Sequence, residues 1–230
     1  MTRFIFSLLI TLMTLTTYAQ KDVTKFLGIP VDGTKAEMIQ KLKAKGFKSS
    51  YINAPDILEG QFNGNNVTIH IATNGNKVWR VMVADKISFD ATDIKIKFNT
   101  LCKQFENNHK YMSMLSDKPY IPEDEDIQYQ TTINKKRYSA GYYQKPEAMI
   151  NPSLFSPELD NIFHKKYTKE QLANPSDEIQ ADCEKIKIDY LYNILSNKIV
   201  WFMISEDGYN KYSIYMYYDN LYNQANGEDL

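Results

Sequence analysis

The sequence predicts an α+β fold made of two related units. Each is a helix (or two) packed on an antiparallel β-meander, and the two meanders are free to join into one sheet. Three observations carry this. Residues 34–47 read as a helix with both ends marked. Residues 58–83 read as alternating apolar runs broken by glycine turns. A weaker copy of the last hairpin returns at 200–219.

Thr34 and Glu37 have the T-x-x-E spacing of a capping box, in which hydroxyl and carboxylate each take a free N–H at the helix start. Met38, Ile39 and Leu42 then fall on one face, with Lys35, Lys41, Lys43 and Lys45 elsewhere. Gly46 stands where a left-handed residue ends a helix, and Phe47 follows to press on Leu42.

Leu58, Gly60 and Phe62 alternate with Glu59 and Gln61, and Val67, Ile69 and Ile71 with Thr68, His70 and Ala72. That is the period of a half-buried strand. Asn63-Gly64 and Asn74-Gly75 supply the residue types that accept positive φ in tight hairpins. In KVWRVMV, strict alternation sets Trp79, Val81 and Val83 on one face and Val78 and Met82 on the other, so both faces are apolar.

Beyond the meander, Ser88 or Asp90 caps a helix to about Asn108, with Ile94, Phe98, Leu101, Cys102 and Phe105 as its buried stripe. Residues 112–126 form a connection containing Pro119, Pro122 and the acidic run Glu123–Asp126. No Asp-x-Asp-x-Asp-Gly loop accompanies the acids, so a solvated run is favoured over a calcium site. RYSAGYYQ, residues 137–144, reads as a strand. A long surface excursion occupies 145–180, with a short helix near 168–173. Residues 176–195 fit two patterns. Ile179, Cys183, Ile186, Tyr190 and Ile194 make a helical stripe, while 186 to 194 also alternate strictly. A short helix running into a strand is the expectation.

The run from Val200 to Asp219 matches Val67 to Asp85 in plan: an alternating strand, a glycine turn (Asp207-Gly208), and a strand apolar on both faces that ends on aspartate. Asp219 is then placed to cap a short closing helix. The units divide at 20–112 and 113–230. Residues 1–19, with Arg3, an apolar stretch and Thr17-Tyr18-Ala19, read as a signal peptide cleaved before Gln20. The apolar stretch is too short to span a bilayer comfortably. A periplasmic or secreted protein with no membrane span after cleavage follows. Cys102 and Cys183 permit a disulfide there, but the stripe position of Cys102 favours a buried free thiol.

A formal charge of −1 gives no electrostatic case for nucleic acid as a partner. No G-x-S-x-G, H-E-x-x-H, P-loop or dinucleotide fingerprint is present, and His70, His109 and His164 lack ligand spacing. No catalytic, cofactor-binding or metal-binding residue is assigned, and no cofactor is expected. The excess of aromatic residues on strands is the feature left over. Trp201 and Met203 share one face of their strand, and Tyr215 and Tyr217 share one face of theirs. Tyr and Trp are apolar with a polar tip and are enriched at recognition surfaces. These four residues are the candidate binding surface, for an unknown protein, peptide or glycan. A hydrolase acting on peptide or glycan, with its site in 145–180, is the alternative.

The Ala19-Gln20 processing site, FLGIPVDGTKAEMIQKLKAKGF, LEGQFNG and the closing YYDNLYNQANGEDL resemble a broad group of secreted proteins of unknown function from Bacteroidales. The tandem helix-plus-sheet plan is also similar to β-lactamase-inhibitor-protein-like folds. That resemblance implies binding of a partner on the sheet surface. Neither likeness carries functional residues over.

Overall fold

In a computed structural model of the chain, residues 21–51, 54–151, 157–225 and 227 are described. The expected leader, 1–19, lies outside them. The fold is α+β. An opening hairpin, β1 (Lys25–Phe26) and β2 (Ile29–Pro30), forms a two-stranded sheet. The main sheet has eight antiparallel strands. A first meander comprises β3 (Lys48–Tyr51), β4 (Ala54–Phe62), β5 (Asn65–Asn74) and β6 (Lys77–Asp85). A second comprises β7 (Tyr111–Ser113), β8 (Ser139–Gln144), β9 (Lys198–Gly208) and β10 (Lys211–Asn220). The strand order is β3-β4-β5-β6-β10-β9-β8-β7, so the meanders meet where β6 pairs with β10. The expected boundary at 112/113 falls inside β7.

The seven helices of the described residues begin with α1 (Lys35–Ala44). Its capping box forms as expected, with Thr34 N donating to Glu37 Oε2 at 2.8 Å. Its end is a Schellman motif. Phe47 N donates to Leu42 O and Gly46 N to Lys43 O, with Gly46 at φ 100°. Phe47 then lies so close over Gly60 that a Cβ there would sit 2.5 Å from its ring. Gly60 in mid-strand is therefore a packing residue. Helix α2 (Ala91–Asn107) is capped by Asp90 and buries the whole expected stripe.

Helices α1 and α2 and the opening hairpin all cover the same face of the sheet. Phe26 packs on Phe62 and Tyr218, and Phe98 and Phe105 pack on Phe202 and Tyr142. One hydrophobic cluster runs through both meanders beneath them. Burial of Val67, Ile69 and Ile71 in β5, and of Val200, Phe202 and Ile204 in β9, follows the alternation read from sequence.

Several local expectations change. Residues 176–195 are one helix, α7 (Asp177–Ser196), with no strand. Ile186, Tyr190 and Ile194 are four apart and share a helix face, while Ile188 and Tyr192 are exposed. A period of two contains the spacing of four, so alternation imitated a strand. Three helices precede it: α4 (Glu147–Ile150), α5 (Pro157–Lys166) and α6 (Lys169–Ala173), the last where a short helix was expected. The connection at 112–126 leads into α3 (Ile127–Thr132), capped by Asp126, while Glu125 pairs with Lys136 and accepts from Tyr138 Oη. Asp219 stays in β10 and caps nothing. Asn220 caps a 3-10 turn at Leu221–Asn223 instead of the expected closing helix.

The turns also shift. Asn63 and Gly64 make the first tight turn with φ of 48° and 77°, but the second is Gly75-Asn76 (51°, 62°) and the third Tyr209-Asn210 (52°, 57°). Asn74 and Gly208 are the last paired residues of their strands. Both cysteines are free, and Cys102 is buried. Burial pushes its thiol up to about 11.

Candidate recognition surface

The sheet face turned away from α1 and α2 is built by strand register. Trp201 stands directly opposite Tyr217 and Met203 opposite Tyr215, so the two pairs expected from sequence share one face. The same rows continue across the sheet. Gly141, Trp201, Tyr217, Met82 and His70 form one, and Ser139, Met203, Tyr215, Ala84 and Thr68 the next. All four candidate residues keep part of their surface in solvent, whereas Val200, Phe202 and Ile204 between them are buried.

A residue missed by the sequence reading stands at the centre. Ala72 pairs with Arg80 but Thr73 pairs with Val78, leaving Trp79 as the extra residue of a bulge. The bulge changes the face assignment read from KVWRVMV at Val78 and leaves the one from Arg80 onward in place. Val78 joins Val81 and Val83 in the core, and Arg80 and Met82 lie on the second face. Bulges re-aim side chains in this way and are not visible in an alternating pattern.

Arg80 forms a two-point ion pair with Asp219, Nε to Oδ1 and Nη2 to Oδ2, both 2.6 Å. The Asp219 carboxylate is only 4% exposed, and Arg80 24%. Trp201 Nε1 donates to Asp219 Oδ2 at 3.0 Å. The guanidinium lies 4.3 Å from the Trp79 ring centre, 4.7 Å from Tyr217 and 5.5 Å from Trp201. Trp201 and Tyr217 stack with centroids 4.1 Å apart and planes 18° apart. Partial burial pushes the Tyr217 hydroxyl pKa up, and the Arg80 charge works against that. The cation and anion on this face are thus consumed by each other, and the aromatic rings hold the cation in place.

At one end of the row, Gly141 leaves room for Met114. An added Cβ would lie 2.8 Å from its Sδ. At the other end, Glu59 pairs with Lys86 and accepts from Ser50. The face has an aromatic and thioether centre, and the Arg80 and Asp219 charges at that centre are paired.

His70 belongs to this face, opposite Met82. Partial burial lowers its pKa first, and the nearby Lys35 charge lowers it further. Among the described residues, no three of His, Cys, Asp and Glu gather as a group able to hold a metal. The aspartates that end the two similar runs point to opposite faces. Asp85 accepts from Lys97 of α2 at 2.7 Å and from Ile214 N at 2.9 Å, while Asp219 serves Arg80. Comparison of the chain with family models, with curated proteins and with solved structures finds no match.

Proposed function

We propose that the protein is an exported, non-catalytic binding module, and that the second face of its sheet takes a partner protein with a flat, largely uncharged patch. One observation carries this reading: aromatic and methionine side chains aligned by register around an ion pair that is already satisfied. Protein interfaces concentrate Trp, Tyr, Met and Arg at their centre and leave charge to the rim. The Trp201 and Tyr217 rings face each other and not outward, which favours a protein surface over stacked sugar rings. Because Arg80 is neutralised by Asp219, the face attracts neither polyanions nor acidic peptides in particular. The same reading takes the chain as two related helix-plus-meander units, supported by their junction at β6 and β10.

Photo-crosslinking tests the proposal. Benzoylphenylalanine at Met203 is expected to give one adduct of defined mass with a single partner protein in the cells that export this chain. The same group at Ile96, exposed on α2, is expected to give none, and Tyr215→Ala is expected to abolish the Met203 adduct. Equal adducts from both positions, or none from Met203, would overturn the reading. An adduct between two copies of this chain would replace the foreign partner by self-association.

A further inference from the structure

The helix-covered side holds a cleft of about 1050 Å³. It lies between the turn of the opening hairpin, the C-terminal half of α2 and the β7–β8 edge, with Met216 and Tyr218 lining it from the sheet. Its size suits a small ligand, and its wall divides between apolar and polar surface in nearly equal parts. Leu101, Phe105 and Met216 supply apolar surface. Lys25, Lys110, Lys145 and Lys198 line it as well, against Glu147 as the one acid.

The pairing of those charges is uneven. Lys25 holds Glu147 at 2.6 Å, and the buried Lys198 holds Asp22 at 2.6 Å. Lys110 and Lys145 form no ion pair among the described residues, and Lys145 N donates to Lys110 O at 2.8 Å, which sets the two residues opposite each other at the β7–β8 edge. Two adjacent cations with no ion pair among the described residues, although the Lys110 charge also acts on Glu147, complement an anionic head on an apolar body. Behind them the polar end is tightly organised. Gln144 accepts from Lys25 N at 2.6 Å and donates to Lys25 O and to Tyr111 Oη.

A second feature points the same way. The hairpin turn over the cleft is Leu27-Gly28, with φ of 52° and 80°. Left-handed backbone suits Asn or Gly and is strained for leucine. The Asn63-Gly64 turn of the same protein uses the unstrained pair. Leu27 repays nothing to the core, being 39% exposed while its neighbour Phe26 is fully buried. Tyr209 shows the same strain at an open turn, so what sets Leu27 apart is its place at the rim of the cleft, where a bound body would cover it.

We propose that this cleft binds a small amphipathic anion, a single carboxylate on an aliphatic or aromatic body. The carboxylate sits between Lys110 and Lys145, and the body lies along Leu101 and Phe105 beneath Leu27. The site is on the opposite side of the sheet from the recognition surface and does not depend on it.

Isothermal titration of the protein with sodium decanoate, and with 1-decanol as the neutral analogue, tests this. The expected result is one saturable site for decanoate and at least tenfold weaker binding of decanol. Lys110→Gln with Lys145→Gln is expected to weaken decanoate at least tenfold and remove the preference over decanol. Leu27→Asn, which relieves the turn, is expected to weaken both ligands several-fold with a melting temperature equal to or above that of the parent. Trp201→Ala is expected to leave the titration unchanged. Absence of a saturable site, equal affinity for decanol, or indifference to the lysine pair would overturn the proposal. Unchanged affinity in Leu27→Asn would remove Leu27 from the site, and loss of binding in Trp201→Ala would refute the separation of the two faces.

Discussion

Trp201 and Phe202 are neighbours on one strand and point to opposite faces, so truncating each in turn measures how exposed the second face is. Phe202 is fully buried and packs on Phe98, Phe105 and Tyr142. Its change to alanine is expected to cost about 3–5 kcal/mol, the range for a buried aromatic. Trp201 is half-buried, and three contributions are separable. Its stack on Tyr217 is worth about 1 kcal/mol. Its N–H to Asp219 adds about 1 kcal/mol, below the usual value for a charged acceptor because Arg80 still satisfies the carboxylate. The apolar area of the ring that is withdrawn from water supplies the rest. Trp201→Ala is therefore expected to cost about 2–3 kcal/mol, and Trp201→Phe, which keeps the stack, about 1 kcal/mol. In a chain of this size these become drops of about 4–12 °C for Trp201→Ala and about 6–20 °C for Phe202→Ala. Thermal melts followed by circular dichroism decide it. A Trp201→Ala loss equal to that of Phe202→Ala would mean that the second face is core, and the recognition surface would fall with it.

Tyr215 faces Met203 and Ala84 and keeps part of its surface in solvent, so Tyr215→Ala is expected to cost less than Phe202→Ala in the same melts. Gly60→Ala puts a Cβ into the Phe47 ring and is expected to destabilise by about 1–3 kcal/mol, with Phe47→Leu recovering part of the loss. Alkaline unfolding is expected to be cooperative. Burial pushes the Tyr142 and Tyr218 hydroxyls up, and the bond to Glu106 pushes Tyr120 up to about 12. A tyrosine whose folded pKa is raised contributes stability that is complete below about pH 10 and lost as pH rises toward the folded value. Absorbance at 295 nm should therefore show part of the tyrosinate appearing only together with the loss of ellipticity, and full ionisation with the fold intact would refute the burial. Intact mass of exported protein is expected to correspond to a chain starting at Gln20, and retention of residues 1–19 would refute the leader.

Helices α1 and α2 and the two long hairpins were legible because their signals are local. The Thr34–Glu37 box, the Gly46 stop and the alternation of Val67, Ile69 and Ile71 each involve residues within a few positions of one another. The composition of the second face was legible for the same reason, since residues 201 and 203 must share a side, as must 215 and 217. What period two leaves open is whether two strands turn matching sides to the same face. That depends on turn register, and the third hairpin has Tyr209-Asn210 at its tip with an extra residue, Asp207, between paired positions. Its register brings Trp201 opposite Tyr217.

The charge at the centre of the surface was illegible for a sharper reason. Read by alternation, Arg80 of KVWRVMV shares a face with Val78 and Met82, where an unpaired cation beside apolar residues has no evident purpose. One inserted residue at Trp79 sends Val78 inward and leaves Arg80 and Met82 on the second face. Pairing of β6 with β10, far away in sequence, then sets Arg80 opposite Asp219. Each step alone accomplishes little. An unpaired Arg80 on this face would give it a positive centre and a preference for anionic partners. Asp219 without Arg80 would leave a carboxylate almost wholly desolvated with only the Trp201 N–H to offset it. Together they make an electrically quiet, aromatic surface from residues that include a full ion pair. The selectivity argued for this surface rests on that cancellation. Asp219→Asn, which frees the Arg80 charge, is therefore expected to do more than loosen the fold. It should shift the face toward acidic partners, and weaker partner crosslinking at low salt than at high salt would contradict that expectation for an acidic partner.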